Sequence, residues 1–192
     1  MKRWVARRLW RLLGWRLVGE PPPADRVGVL VAAPHTSNWD YLLMLGVAWQ
    51  AGIPTRFLGK RELFRWPLGV LMRATGGLPV DRNDPAGTVD TLVRRARAGD
   101  SFQLIVTPEG TRDRVEHWKS GFHRIARAAG VPVTMAFVDG PSRTAGFGPT
   151  FWPGDDIAAD MDLLRDFYAD KRGLRPANRT EPRLREEPGG RG

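Results

Sequence analysis

The feature that most constrains the fold is an alternation of short apolar runs with segments of helical periodicity. Five mainly apolar runs have strand length: residues 27–33, 55–58, 78–80, 102–106 and 131–138. Four segments between them carry apolar side chains at helical spacing: residues 39–49, 63–73, 88–98 and 121–129. Strands that alternate with helices favour an α/β fold. We therefore predict a mostly parallel central sheet flanked by helices.

Residues 1–19 are basic and contain three of the eight tryptophans in the chain. At helical spacing, Val5, Leu9 and Leu13 fall on one arc, while Arg7 and Arg11 fall on the opposite arc. A basic amphipathic helix of this kind suits the plane of an anionic membrane, and the tryptophans favour that interpretation. The alternative is a helix that packs on the protein's own core with its basic face in water.

The rest of the chain divides into a main domain and a tail. Residues 20–25 include three consecutive prolines and predict a stiff linker, and residues 20–172 have the length of a single domain. Residues 140–156, rich in Gly and Pro, predict a loop or hairpin, and residues 160–170 predict a last helix. Residues 173–192 are mostly Arg, Pro, Glu and Gly, a composition that predicts disorder.

Composition excludes several kinds of site and predicts that the protein attracts anions. The chain has no cysteine, so disulfides, thiolate nucleophiles and cysteine metal sites are excluded. His117 and His123 lack the spacing of metal ligands, and we expect no metal site. No apolar run reaches the roughly 20 residues that span a bilayer. Thirty Lys and Arg against 21 Asp and Glu give a net charge of +9, which attracts phosphates.

The first candidate site is residues 34–40, Pro-His-Thr-Ser-Asn-Trp-Asp, directly after the first buried strand. In open α/β sheets, ligands bind at the carboxyl ends of strands, which is where His35 would lie. With His35 in the loop and Asp40 in the first helical turn, the carboxylate can orient the imidazole and stabilise its protonated form. The alternative is structural, because Ser37 and Asp40 have the spacing of a capping box.

Two further blocks follow other strands. Residues 107–112, Thr-Pro-Glu-Gly-Thr-Arg, end in Arg112, whose planar guanidinium suits phosphate. Their alternative is a type I turn with Pro at the second position and Gly at the fourth. Residues 76–82, Gly-Gly-Leu-Pro-Val-Asp-Arg, end in Arg82. Their alternative is a short, glycine-loosened strand with a solvated arginine.

The ordered set of blocks is more specific than any one of them. It resembles the glycerophospholipid acyltransferase family, of the lysophosphatidate (1-acylglycerol-3-phosphate) acyltransferase type, and is similar to its small bacterial members. Pro34 and Thr107 stand where the family usually has Asn and Phe. Matching segments are residues 35–40, 77–82, 108–112 and 131–133, with an aromatic-Lys-x-Gly element at 118–121 and a Lys-x-Glu-Leu stretch at 60–63.

The resemblance implies a role for each matching residue. His35 would act as general base on a hydroxyl, and Asp40 would orient it. The hydroxyl oxygen would attack the thioester of acyl-CoA or acyl carrier protein, the co-substrate, without a bound cofactor or a covalent acyl-enzyme. The implied substrate-binding residues are Lys60, Arg82, Glu109, Gly110, Thr111, Arg112 and Lys119.

The partners that follow are an acyl thioester donor, a glycerophosphate-like or lysolipid acceptor and an anionic membrane surface. We expect a cytoplasmic protein, peripheral on the inner face of the cell membrane. Alternatives are a basic nucleic-acid-binding protein, a lipid-binding protein without catalysis, and a hydrolase in which His35 activates water. No helix-turn-helix, zinc-finger or RNA-recognition signature is present, so we do not expect a nucleic-acid partner. No pattern predicts an oligomeric state.

Overall fold

A seven-stranded sheet forms the centre of the protein in a computed structural model that describes residues 8, 10, 12–80 and 85–187. Its strands are β1 Arg16–Val18, β2 Gly28–Ala32, β3 Thr55–Lys60, β4 Gly77–Val80, β5 Gln103–Val106, β6 Val133–Asp139 and β7 Thr144–Phe151. The α-helices are α1 Asn38–Ala51, α2 Leu68–Ala74, α3 Pro85–Arg97, α4 Gly121–Ala129 and α5 Ile157–Tyr168. Short 3-10 helices lie at Arg61–Phe64 and Pro176–Asn178.

The strand order across the sheet is β1-β7-β6-β2-β5-β3-β4. Every pair of neighbours is parallel except β6 and β7, which form an antiparallel hairpin. The prediction of an α/β fold with a mostly parallel sheet is therefore confirmed. The hairpin predicted within residues 140–156 is also confirmed, since its second strand is β7.

Side chains of β2 alternate between two apolar cores, one on each face of the sheet. Val29 and Val31 face a core that also contains residues of α4 and α5. Leu30 and Ala32 face a second core, to which α1 contributes Met44 and Val47. Burial on both faces explains why this strand is continuously apolar and does not alternate with polar residues.

The register of the central strands brings two loops to one edge of the sheet. Val31 of β2 pairs with Val106 of β5, and both strands run in the same direction. The loops that follow them, at residues 33–37 and 107–110, therefore leave the sheet side by side. These loops contain His35 and Glu109.

The N-terminal segment differs in part from the helix predicted over residues 1–19. Arg8, Trp10 and Leu12 are helical, whereas Arg16–Val18 forms the edge strand β1. Trp10 is buried against α1, and a β-carbon on Gly46 would lie 2.6 Å from its ring. This packing is the alternative considered above, a helix on the protein's own core. Residues 1–7, 9 and 11 lie outside the described chain.

Pro67 interrupts residues 63–73, for which the sequence predicts a helix whose first turns are disturbed by this proline. The structure has a 3-10 turn at Arg61–Phe64 and begins α2 only after Pro67. Proline lacks the amide hydrogen that a helix interior needs, but it is tolerated where a helix starts. No helix in the described part of the chain is long and apolar enough to cross a bilayer.

Residues 173–187, which we name the C-terminal strap, are ordered against the domain, unlike the disorder that composition predicts for residues 173–192. Leu184 is fully buried, and Trp118 N donates a hydrogen bond to the Arg183 carbonyl at 2.7 Å. Val115 N donates to Thr180 Oγ1 at 3.0 Å. A few well-placed side chains anchor the segment, whereas composition averages them with their polar neighbours. Residues 188–192 lie outside the described chain.

The buried anchor of the strap can be tested by truncation. Leu184→Ala should lower the free energy of unfolding by about 2–5 kcal/mol, the usual cost of emptying a buried leucine site. Leu163→Ala is the matched control, because Leu163 is 50% exposed on α5 and should cost little. Urea denaturation of both variants measures the difference. Equal, small effects would mean that the strap does not pack as described.

Candidate active site

The loop between β2 and α1 is organised by the side chain of Asp40. Ser37 is the N-cap of α1, and Asp40, three residues later, completes a capping box. Asp40 Oδ2 accepts hydrogen bonds from the backbone nitrogens of Thr36 at 2.6 Å and Ser37 at 2.7 Å. The capping interpretation is therefore confirmed. The bonds also hold the carboxylate in one buried position.

The same carboxylate oxygen faces His35. His35 Nδ1 lies 3.5 Å from Asp40 Oδ2, a distance that allows an ion pair but exceeds an ordinary hydrogen bond. Such contacts are often long before a substrate binds. The imidazole is 20% exposed, and Nε2 has no hydrogen-bond partner in the described chain. The capping and orienting roles of Asp40 are therefore geometrically compatible.

The loop after β5 reaches across to the loop after β2 through Glu109. Glu109 Oε1 accepts a hydrogen bond from the backbone nitrogen of His35 at 3.0 Å. A turn positions this side chain, because Gly110 N donates to the Thr107 carbonyl at 3.1 Å and Gly110 has a φ of 69°. The predicted turn is thus present. It also delivers a carboxylate to the backbone of the candidate base.

Burial raises the pKa of Glu109 to about 7. The hydrogen bond from His35 N opposes this shift, while the Asp40 carboxylate adds to it. Glu109 Oε2 and Asp40 Oδ1 are both buried, and neither has a hydrogen-bond partner within the described residues. Glu109 is therefore partly protonated near neutral pH, and each acid has one buried oxygen without a hydrogen bond in the described chain.

Tyr168 contacts the two strands next to the loop of His35, and sequence reasoning did not single it out. Its hydroxyl donates to the Val31 carbonyl at 2.8 Å and accepts from Ala136 N at 3.2 Å. Burial raises the pKa of Tyr168 well above its usual value, so the phenol stays neutral. The tyrosine joins α5 to β2 and β6 just before the His35 loop. No local motif marks it, since its partners are far away in the chain.

Exposed cations lie beside the two loops that carry His35 and Glu109. Arg112 hydrogen-bonds Asn38 Oδ1 at the first residue of α1, another partner that sequence reasoning did not identify. The side chain of Lys119 lies over Gly110, where a β-carbon would be 2.6 Å from Nζ. Thr111 Oγ1 accepts a weak hydrogen bond from Asp113 N at 3.4 Å, within its own loop.

The remaining candidates are positioned less completely. Lys60 is the last residue of β3, which pairs with β5, and Arg82 lies outside the described residues. His123 is buried in the first turn of α4 and contacts Asp160 Oδ2 at 2.8 Å, an interaction that joins α4 to α5. Within the described chain, no group of three His, Asp or Glu side chains suits a metal ion.

The raised pKa of Glu109 predicts a pH-dependent stability. Below about pH 4.5 Glu109 is protonated in both the folded and the unfolded protein. Above pH 7 it is ionised in both, and in the folded protein this charge is buried. Stability that is present at low pH is therefore lost as the pH rises through about 7. At about 1.4 kcal/mol per pKa unit, Glu109→Gln should gain roughly 3 kcal/mol over the wild type across this window.

Urea titrations of both proteins between about pH 4 and 8 measure this difference, and the subtraction removes contributions from other groups. Glutamine keeps an acceptor for His35 N, so the loop contact is preserved. A difference in unfolding free energy that does not change with pH would contradict the assignment.

Comparison with family models covers the part of the chain that contains both loops. A family model described as Acyltransferase matches residues 18–137, more than half of the chain. The match spans both loops, with His35, Asp40, Glu109 and Arg112, and stops before the strap. No curated protein matches the chain in a sequence search. The match over this length shows that the chain belongs to the acyltransferase family.

Proposed function

We propose that the protein is an O-acyltransferase that moves a fatty acyl group from acyl-CoA or acyl carrier protein to a hydroxyl of a glycerophosphate-like or lysolipid acceptor. The observation that carries this proposal is the fixed carboxylate of Asp40, 3.5 Å from His35 Nδ1, with Nε2 unpartnered. An imidazole held in this way suits proton transfer at Nε2. Membership of the acyltransferase family supplies the reaction class.

In the proposed mechanism, His35 Nε2 takes the proton of the acceptor hydroxyl as its oxygen attacks the thioester carbonyl. The resulting imidazolium is stabilised by the carboxylate of Asp40. The tetrahedral intermediate then collapses, the carbon–sulfur bond breaks, and the departing thiolate takes the proton back from His35. The acyl group passes directly to the acceptor oxygen, and no covalent acyl-enzyme is formed. The absence of cysteine from the chain is consistent with this route.

Surrounding side chains match substrates that are both charged and apolar. Arg112 and Lys119 are exposed beside the loop of Glu109 and suit phosphate groups. We assign Arg82 and Lys60 to the same substrate-binding set. Glu109, Gly110 and Thr111 belong to the same proposed set, since they lie in the loop that contacts His35 N.

Apolar side chains also border the site. Trp39 and Leu42, on either side of Asp40 in the first turns of α1, are exposed although both are large and apolar. Such side chains next to a polar centre suit a lipid-like acceptor better than a small hydrophilic one. They support a lipid substrate independently of the cations.

We also propose that the protein works as a peripheral protein on the inner face of the cell membrane. Leu12 is 84% exposed and Leu13 is 50% exposed at the end of the N-terminal segment, and the net charge is +9. Apolar side chains combined with positive charge favour binding to anionic lipid surfaces. Because Trp10 is buried, this binding would use only part of the segment.

The general-base assignment is tested by two substitutions. His35→Ala should reduce kcat/KM about 10²–10⁴-fold, the usual contribution of a general base. Asp40→Asn should also lose much of the activity, since the amide cannot stabilise the imidazolium. Mass spectrometry of products formed from labelled acyl-CoA and a lipid extract measures transfer, and circular dichroism checks the fold.

Ser37→Ala is the matched control, because it removes the helix cap but leaves the imidazole and carboxylate. It should cost about 1 kcal/mol of stability with little loss of turnover. If Asp40→Asn behaves in the same way, Asp40 is only a cap. If free fatty acid is the sole acyl product in the presence of acceptors, the enzyme is a hydrolase, and the acyltransfer proposal fails.

Membrane association is tested by a paired substitution. Leu12→Ser with Leu13→Ser should lower the fraction of protein that sediments with anionic phosphatidylglycerol vesicles, because less apolar surface enters the interface. Leu163→Ser removes a leucine of similar exposure from α5 and should not change sedimentation. Unchanged sedimentation of the paired variant would refute the proposed contact.

A further inference from the structure

The C-terminal strap touches the loop that carries His35. Arg175 N donates a hydrogen bond to Thr36 Oγ1 at 3.0 Å. Gly173 has a φ of 72° and approaches so closely that a β-carbon there would lie 2.8 Å from Thr36 Oγ1. Because Thr36 directly follows His35, the strap packs against the loop that carries the candidate base.

The same strap is bound to the loop that carries Arg112. Asn178 Nδ2 donates to the Arg112 carbonyl at 3.0 Å. The strap is also held to the hairpin turn, where Gly140 N donates to the Gly173 carbonyl at 3.1 Å. The segment from Gly173 to Asn178 is therefore attached to the loop of His35, to the hairpin turn and to the loop of Arg112. Arg175 lies in the middle of this attached stretch.

Arg175 is exposed, and its guanidinium makes no hydrogen bond or ion pair with another described residue. In residues 110–114 and 173–178, the exposed charged residues are Arg112, Asp113, Arg114 and Arg175. These two segments therefore expose three cations and one acid. The acids next to His35 do not offset this charge at the surface, because both are buried and accept bonds from backbone amides.

We propose that Arg175 binds a phosphate ester group of one of the two substrates. A guanidinium presents a planar fork of donors that matches phosphate, and fixing its backbone lowers the cost of ordering it. That the ligand is a substrate rests on the proposed function. The phosphate comes either from the thioester donor or from the acceptor. Arg175 lies outside residues 18–137, so the family match does not assign it.

Isothermal titration calorimetry on the full chain tests the proposal without turnover. The ligands are coenzyme A with its phosphate-free counterpart pantetheine, and glycerol 3-phosphate with glycerol. Arg175→Gln should weaken binding of a phosphate ligand roughly tenfold or more, and Arg175→Lys should weaken it less. Arg124→Gln is the control, because Arg124 is an exposed cation beside Asp155 and Ile157 and should leave every affinity unchanged.

Both sources of the phosphate have a distinct outcome. Weakening for coenzyme A alone supports the proposal and assigns the donor, whereas weakening for glycerol 3-phosphate alone supports it and assigns the acceptor. Unchanged affinity for both phosphate ligands in Arg175→Gln overturns it. Equal weakening for pantetheine or glycerol also overturns it, because a distorted site and not a lost phosphate contact would explain that result. The proposal is also overturned if the wild type binds each phosphate ligand no more tightly than its phosphate-free counterpart.

The substitutions are compatible with folding, since the strap is attached through the main chain of Arg175 and not through its side chain. Steady-state kinetics then separate this inference from the proposed function. If the wild type transfers acyl groups and Arg175→Gln leaves KM unchanged for both substrates, only the role of Arg175 fails. If Arg175 binds phosphate but the wild type transfers no acyl group, the proposed function fails and the anion site stands.

Discussion

Three successive backbone amides, those of His35, Thr36 and Ser37, donate to two buried carboxylates, and the rest of the site depends on these bonds. A loop that leaves a buried strand must satisfy its amide hydrogens without water. Asp40 satisfies two of them and Glu109 the third. Because the acceptors are carboxyl groups, satisfying the backbone also places two acidic side chains beside the loop of His35.

Some residues of this site contribute both to stability and to the proposed chemistry, whereas others contribute to stability alone. Asp40 caps α1 and faces His35 with the same oxygen, so both properties depend on one side chain. Ser37 contributes to the cap alone. Glu109 bridges the two loops, but its burial raises its pKa to about 7, so the bridge costs stability once the acid ionises. The strap supplies a further attachment from the far end of the chain.

Much of the architecture was predictable because its causes are local. Continuous apolar runs predicted the buried strands, and glycine and proline marked the ends of helices. At Pro67 the sequence indicated a disturbed helix start, and α2 begins only after this proline because a helix interior does not accept it. The C-terminal strap shows where composition misleads. Its composition predicts disorder, yet Leu184 reaches the core that contains Trp118 and Tyr168.

The sequence by itself determined the α/β class, the capping residues, the turn before Gly110 and the residue types of the candidate site, because each depends on neighbours within a few positions. Only the tertiary structure decided that Glu109 binds the backbone of His35, that Tyr168 supports both central strands, and that Arg175 stands beside Thr36. Those contacts join residues that are distant in the chain. They form only once strand order and register are set, and no local pattern encodes that order.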